Sequence, residues 1–254
     1  MPDDARIIPS GASGHEQATG EGAVMAGDVP AVTEPEPVAA PMADGRRQMA
    51  GGHPASASDR LGERDARLSH LCGRSWPEGV LLEALNLSPA LDVLDVGAGD
   101  GRLLRELARR GHAGRVVGID PTPGPGVQPA HAEALPFPDA SFDVVLFARV
   151  LAHLPDQARA LAEARRVLRP GGRVWVAAHG PAHLRATWAA LGQPLAPGKA
   201  HPEPALTLTC PLTLTADDAQ FLLGTYGQEV EVPDHLFPVQ DAAQLLIWRH
   251  SPSL

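Results

Sequence analysis

Aromatic side chains are scarce in this 254-residue chain, with one Tyr, five Phe and four Trp, and none stands before Trp76. From Met1 to about Ala57 the sequence is dominated by Ala, Gly and Pro with scattered acids, as in Glu34-Pro35-Glu36-Pro37. Such a stretch has too little apolar surface to offset the entropy lost on ordering, so residues 1–57 are expected to be a disordered tail and residues 58–254 one domain. Cysteine is nearly absent as well. Cys72 and Cys210 are the only two, far apart and outside any CxxC pair, which excludes a disulfide framework and a zinc site and predicts free thiols. Positive charge is also in deficit: 21 Lys and Arg against 30 Asp and Glu leave a formal charge of −9. That argues against nucleic acid or an anionic membrane as partner, since both attract a basic field. The chain has no apolar run of membrane-spanning length and no basic leader before one, so the expected setting is the cytoplasm. Composition leaves the oligomeric state open.

What the chain does have is alternation. Leu61, Leu68 and Leu71 fit a mostly polar helix, and Leu81, Leu82 and Leu85 an amphipathic one, together forming a flank. Leu91 to Val96 (LDVLDV) then predicts a strand stopped by Gly97-Ala98-Gly99-Asp100-Gly101, followed by a helix carrying Leu103, Leu104 and Leu107. Arg115 to Ile119 and Phe142 to Phe147 read as further buried strands, Gln157 to Arg169 as a helix, and Arg173 to Ala178 as another strand. Near the end, Ala216 to Tyr226 predicts a helix, with strands near Glu229 to Val232 and Gln244 to Trp248; Pro181 to Leu214 carries no clear period. Strands alternating with helices imply right-handed crossovers and a mostly parallel, doubly wound α/β sheet.

Ligands of such sheets gather at the carboxyl ends of the strands, where the first strand-to-helix turn lies. Glycine there lets a ligand approach the backbone, and the following helix offers unsatisfied N–H groups. Gly97 and Gly99 suit that role, although a ligand-free tight turn uses glycine in the same way. Asp120, ending the next strand, stands where a carboxylate can accept from both hydroxyls of a ribose; a turn residue ahead of Pro121 is the plainer reading. A dinucleotide fingerprint needs a third glycine where Arg102 stands, which disfavours NAD.

Five segments in order carry a family resemblance: VLDVGAGDG at 93–101, VGID at 117–120, AEALPFPDASFDVV at 132–145, HLPD at 153–156 and RVLRPGGRV at 166–174. Together they resemble the class I S-adenosylmethionine-dependent methyltransferases of the small-molecule type, over roughly residues 90–178. The resemblance implies a Rossmann-like methyltransferase sheet with an antiparallel C-terminal strand, S-adenosyl-L-methionine as cofactor and a small molecule as methyl acceptor. It also implies that Asp95, Gly97, Ala98 and Gly99 surround the methionine part of the cofactor and that Asp120 holds the ribose. Ala132 would meet adenine through its backbone, and Ala148 and Arg149 would lie beside the sulfonium. Two departures are visible. His131 stands where the family usually has Asp, so a neutral imidazole would have to accept from the adenine amino group. Pro121 to Pro129 (PTPGPGVQP) replaces the helix that the family places between the second and third strands.

No single catalytic side chain is demanded, because alignment and desolvation supply much of the acceleration of an in-line methyl transfer. A hydroxyl acceptor would need a base, for which His153, His179 and His183 are the candidates. His153 also reads as a residue opening a helix, and Arg149 as a carboxylate clamp or a solvent-facing arginine. His179 and His183 flank Pro181 without an HExxH pattern, so no metal site is expected. The acceptor site is expected around Leu68 to Trp76, Arg149 to His153 and a cover over about 181–214. A methyltransferase-fold protein that binds without transferring is the alternative.

Overall fold

The computed structural model describes residues 57–193, 203–228 and 230–250. The expected tail, Ala57 apart, lies outside the described residues, as does His201 of the expected cover. Two helices open the fold, α1 (Ala57–Cys72) and α2 (Glu78–Leu85). They are followed by β1 (Val93–Val96), α3 (Arg102–Arg109), β2 (Val116–Asp120), β3 (Gln128–Pro129), β4 (Phe142–Ala148), α4 (Gln157–Val167) and β5 (Leu168–His179). The C-terminal part adds α5 (Arg185–Ala190), β6 (Leu206–Leu214), α6 (Ala216–Thr225) and β7 (Val239–His250).

The seven strands form one sheet in the order β3-β2-β1-β4-β5-β7-β6. The first five run parallel, whereas β7 pairs antiparallel with both β5 and β6. This is the doubly wound α/β architecture expected, with two antiparallel strands at its C-terminal end. Strand order reverses at β1, so β1 and β4 diverge to opposite connections and leave a crevice at their carboxyl ends.

Alternation along β1 explains how the two faces are used. Leu94 and Val96 join a core with Ile119, Phe147, Leu161 and Val176 beneath α4, while Val93 turns to the face covered by α1, α2, α3 and α6. Asp95 shares the parity of Val93 and is thereby sent under α2.

Three expectations change. Residues 230–233 are not a strand, and a 3-10 turn at Asp234–Leu236 follows Pro233, with Glu229 outside the described residues. The stretch left without a period contains α5 and the nine-residue edge strand β6, whose Leu208, Cys210, Leu212 and Leu214 are buried while Pro211 and Thr213 are exposed. Proline is tolerated there because an edge strand has backbone groups without a ladder partner. Finally, β5 starts at Leu168 rather than after the glycine pair, and a register shift between Phe142 and Val144 accommodates Pro170-Gly171-Gly172 inside it.

Candidate active site

The glycine turn sits where β1 hands over to α3. Gly97, Gly99 and Gly101 all have positive φ, at 77°, 54° and 79°. A side chain on Gly97 would strike Val150 at Cβ and Cγ2, so glycine is needed there for packing. Around Gly99, by contrast, there is open space on the side a Cβ would occupy. One glycine keeps the turn tight and the other leaves room above it.

Asp120 lies beside that room. Gly99 N donates to its Oδ2 at 3.0 Å, while Thr122 N and Oγ1 donate to its Oδ1 at 2.9 and 3.2 Å. The carboxylate is thus fixed in orientation, with a second lone pair on Oδ2 left over for a ligand hydroxyl. The Pro-rich stretch that replaces a helix folds back over the turn. Gly124 N donates to Gly99 O at 2.9 Å, and a Cβ on Gly124 would lie 2.6 Å from Asp100 Cα. That side of the crevice is built by a loop.

Downstream, β3 leads to His131, which is exposed, and Ala132, which is buried. The turn after Ala132 is braced from α4: Leu135 N donates to Glu163 Oε2 at 2.9 Å, and Arg166 donates to Leu135 O and Phe137 O at 3.0 and 2.7 Å. The charged pair therefore positions Ala132, and the AEALPF segment has a structural reason to follow it.

Under α2 the site becomes acidic. Asp95 is 2% exposed, and its Oδ1 has no hydrogen-bond partner among the described residues. Burial raises its pKa to about 7, helped by the charges of Glu78 and Asp120 and opposed by Arg149. Glu78, in the first turn of α2, is likewise pushed upward, mainly by burial, with Arg149 opposing.

Arg149, just past β4 and at φ 61°, is neither solvent-facing nor open to a substrate carboxylate. Its side chain is 9% exposed; Nη1 and Nη2 donate to Asp65 Oδ1 and Oδ2 at 2.9 and 2.8 Å, and Nη2 lies 3.5 Å from Glu78 Oε1. Asp65 also receives Arg102 Nη1 at 2.5 Å. Through Asp65, α1 is tied at once to the helix after the glycine turn and to the end of β4. Further pairs seat the same helix on α6: Arg67 on Asp218 at 2.7 Å, and Arg64 on Thr225 Oγ1 at 3.0 Å.

The three histidines separate by environment. His179 and His183 stack with ring centres 3.9 Å apart, and Trp76 lies parallel beyond His183. Burial holds both well below the usual imidazole range, His183 at about 3 with Arg149 and Arg64 as further causes. Gln244 N donates to His183 Nδ1 at 3.1 Å, so Nε2 carries the hydrogen and donates to Tyr226 Oη at 3.2 Å. Both nitrogens of His183 are engaged, which removes it as a base in this arrangement. His153, on the 3-10 turn Leu151–His153, is exposed.

Residues 94–176 match the family model described as a methyltransferase domain. This chain carries a class I S-adenosylmethionine-dependent methyltransferase domain. The cofactor of such domains is S-adenosyl-L-methionine. The domain is similar to a 37.1 kDa protein of transposon TN4556 from Streptomyces fradiae, 39% identical over 131 residues, or 46% of this chain and 36% of that protein. It is also similar to a ubiquinone/menaquinone biosynthesis C-methyltransferase of Burkholderia orbicola, 39% identical over 119 residues, or 41% of this chain and 49% of that protein. The chain thus spans about half or less of the length of these relatives. Among solved structures it is similar to a putative methyltransferase from Bacillus halodurans, at 17% identity over 68% of this chain and 97% of that one, with a TM-score of 0.43.

Within the methyltransferase domain and its flank, Asp65 and Glu78 are the site residues that sequence reading missed. Asp65 sits in a polar helix between arginines, and Glu78 reads as an ordinary acid at a helix N-terminus. Neither pattern announces a partner from across the fold. No described helix is long and apolar enough to cross a membrane, and no cluster of metal-ligating side chains occurs among the described residues.

Proposed function

We propose that this chain transfers the methyl group of S-adenosylmethionine to a small-molecule acceptor. The observation that carries the reading is the open space over Gly99 next to the fixed carboxylate of Asp120, at the carboxyl ends of β1 and β2. In this reading Gly97, Ala98 and Gly99 surround the methionine part of the cofactor together with Asp95, Asp120 accepts from the ribose, and the Ala132 backbone meets adenine with His131 at the exposed rim. Ala148 ends β4 beside the reacting centre, and Arg149 holds α1 across it. The bound cofactor supplies an electrophilic methyl on sulfur; the chain supplies alignment and exclusion of water.

For the acceptor, the names of relatives in ubiquinone/menaquinone biosynthesis support the small-molecule class. The acidic balance of the chain supports a partner other than nucleic acid or membrane. Where the acceptor atom must lose a proton, His153 is the exposed imidazole of the three candidates. The domain is read as residues 58–254, with its core at about 90–178 and the acceptor cover at about 181–214. Cys72 and Cys210 are free thiols within hydrogen-bond reach of each other, and the cytoplasm is the setting in this reading that keeps them reduced.

Incubating the chain with S-adenosylmethionine labelled in the methyl group and fractionated metabolite pools tests this. Label in a small molecule, absent with Gly99→Val, is the expected result. Cofactor binding with no label in any pool would replace transfer by binding alone.

A further inference from the structure

Cys72 and Cys210 are the only cysteines of the chain, and the fold sets them against each other. Helical spacing places Cys72, the last residue of α1, on the same face as Asp65 and Leu68. Strand parity sends Cys210, midway along β6, inward with Leu208 and Leu212. The core cluster that holds Leu68 and Cys210 also receives Cys72, and the two thiols are in hydrogen-bond contact. Cys72 is partly exposed and Cys210 buried, so a small solute reaches the pair at Cys72. A thiolate in the pair is favoured by the S–H of its neighbour, opposed by burial and favoured again by the charge of Arg74. A partly exposed sulfur beside a cation, with a second thiol in reach, is the arrangement of an oxidisable pair.

The element such a bond acts on is α1. Among its described side chains Leu68 is the one fully buried apolar group, and much of the remaining seat is polar: Asp65 on Arg149 and Arg102, Arg67 on Asp218, and Arg64 on Thr225. The Arg67 pair is part-exposed, and water competes well with such contacts. Cys72 lies about two turns along the same face from Asp65, whose carboxylate grips Arg149 at the end of β4. A covalent link at the foot of α1 is therefore felt along the helix that walls the crevice.

We propose that Cys72 and Cys210 are a site of reversible oxidation by hydroperoxides, and that their disulfide clamps α1 to β6. With the pair singly ionised, the Cys72 sulfur attacks the outer peroxide oxygen while the shared proton passes to Cys210. The O–O bond breaks, leaving a sulfenic acid on Cys72 and an alkoxide or hydroxide that takes a proton from solvent. The Cys210 sulfur then bonds to the Cys72 sulfur, and the hydroxyl leaves with the Cys210 proton as water. The two sulfurs lose two electrons to one hydroperoxide, and a dithiol restores them. The pair stands on its own geometry, whatever the crevice binds.

To test this, the full chain, reduced and freed of reductant, is exposed to hydrogen peroxide and alkylated after denaturation. The expected product is a monomer lighter by two hydrogens, unalkylated at both cysteines and restored by dithiothreitol. Against the reduced chain its α1 amides should exchange hydrogen at least ~10-fold more slowly. Its melting temperature should rise by at least ~5 °C, because the link closes a long loop. Cys72→Ala and Cys210→Ala, each shown to fold by its melting curve, should give neither the lighter product nor the rise. Alkylation of both cysteines after peroxide, oxygen added to Cys72 while Cys210 still alkylates, or a disulfide-linked dimer in place of the lighter monomer overturns the pair. A lighter monomer whose α1 exchanges as fast as before overturns the clamp.

Discussion

Asp65 and Arg149, 84 residues apart in sequence, close a two-point ion pair at 2.9 and 2.8 Å. The pair joins the first helix to the end of β4 and makes α1 one wall of the site. Breaking a buried pair by deleting one partner leaves an uncompensated charge, which costs far more than the pair contributes. Asp65→Ala is expected to destabilise the chain by about 3–5 kcal/mol, measured as a lower urea midpoint. A change under about 1 kcal/mol would mean that water already solvates Arg149.

Asp120 has two tasks, holding Gly99 N and, in the proposed function, the ribose. Asp120→Ala is expected to weaken S-adenosylmethionine binding at least ~10-fold, since hydrogen bonds to a charged acceptor are worth about 1.5–3 kcal/mol each. Titration calorimetry measures it, and unchanged affinity would remove Asp120 from the ribose site.

Gly97 and Gly99 should fail in different ways. Gly97→Ala drives a Cβ into Val150 and is expected to lower the melting temperature. Gly99→Val meets no neighbour but puts a β-branched residue at φ 54° in the space proposed for the cofactor, so binding should be lost. Both are read in one set of melting curves with and without S-adenosylmethionine; a stabilising shift retained in Gly99→Val would move the cofactor elsewhere.

The pH dependence of stability follows from Asp95. Its folded pKa, about 7, lies above its unfolded value near 3.8, so between those limits the folded chain binds more protons than the unfolded one. Stability from this group is present below about pH 4 and is lost as pH rises toward 7. Glu106 has the opposite sign: Arg109 and Arg110 hold it at about 2 against an ordinary 4.5, so its contribution is lost only in stronger acid. Urea unfolding between pH 5 and 7 should therefore show stability declining in the parent and a shallower decline in Asp95→Asn. Equal slopes would mean that Asp95 ionises normally when folded.

Much of the architecture was legible in the order of residues because it rests on short-range rules. Runs such as LDVLDV and FDVVLF declare strands buried on both faces, the glycines after Val96 declare a turn no other residue could make, and Asp120 stands where β2 must end. Strand β6 was less legible because Pro211 interrupts its Leu-Thr alternation, and only its place at the sheet edge makes that proline harmless. The loop after Asp120 could be read as non-helical from its prolines, but its return onto Gly99 could not. The acid cluster was hidden for another reason. Asp65, Glu78, Asp95 and Arg149 come from three helices' worth of intervening chain, and each has an ordinary local role in its own segment. The sequence by itself determined the alternating fold, the glycine turn and the acid at the end of β2, through backbone sterics and hydrophobic period. The tertiary structure alone decided which charges share a buried space, because desolvation acts on distance between side chains and not on distance along the chain.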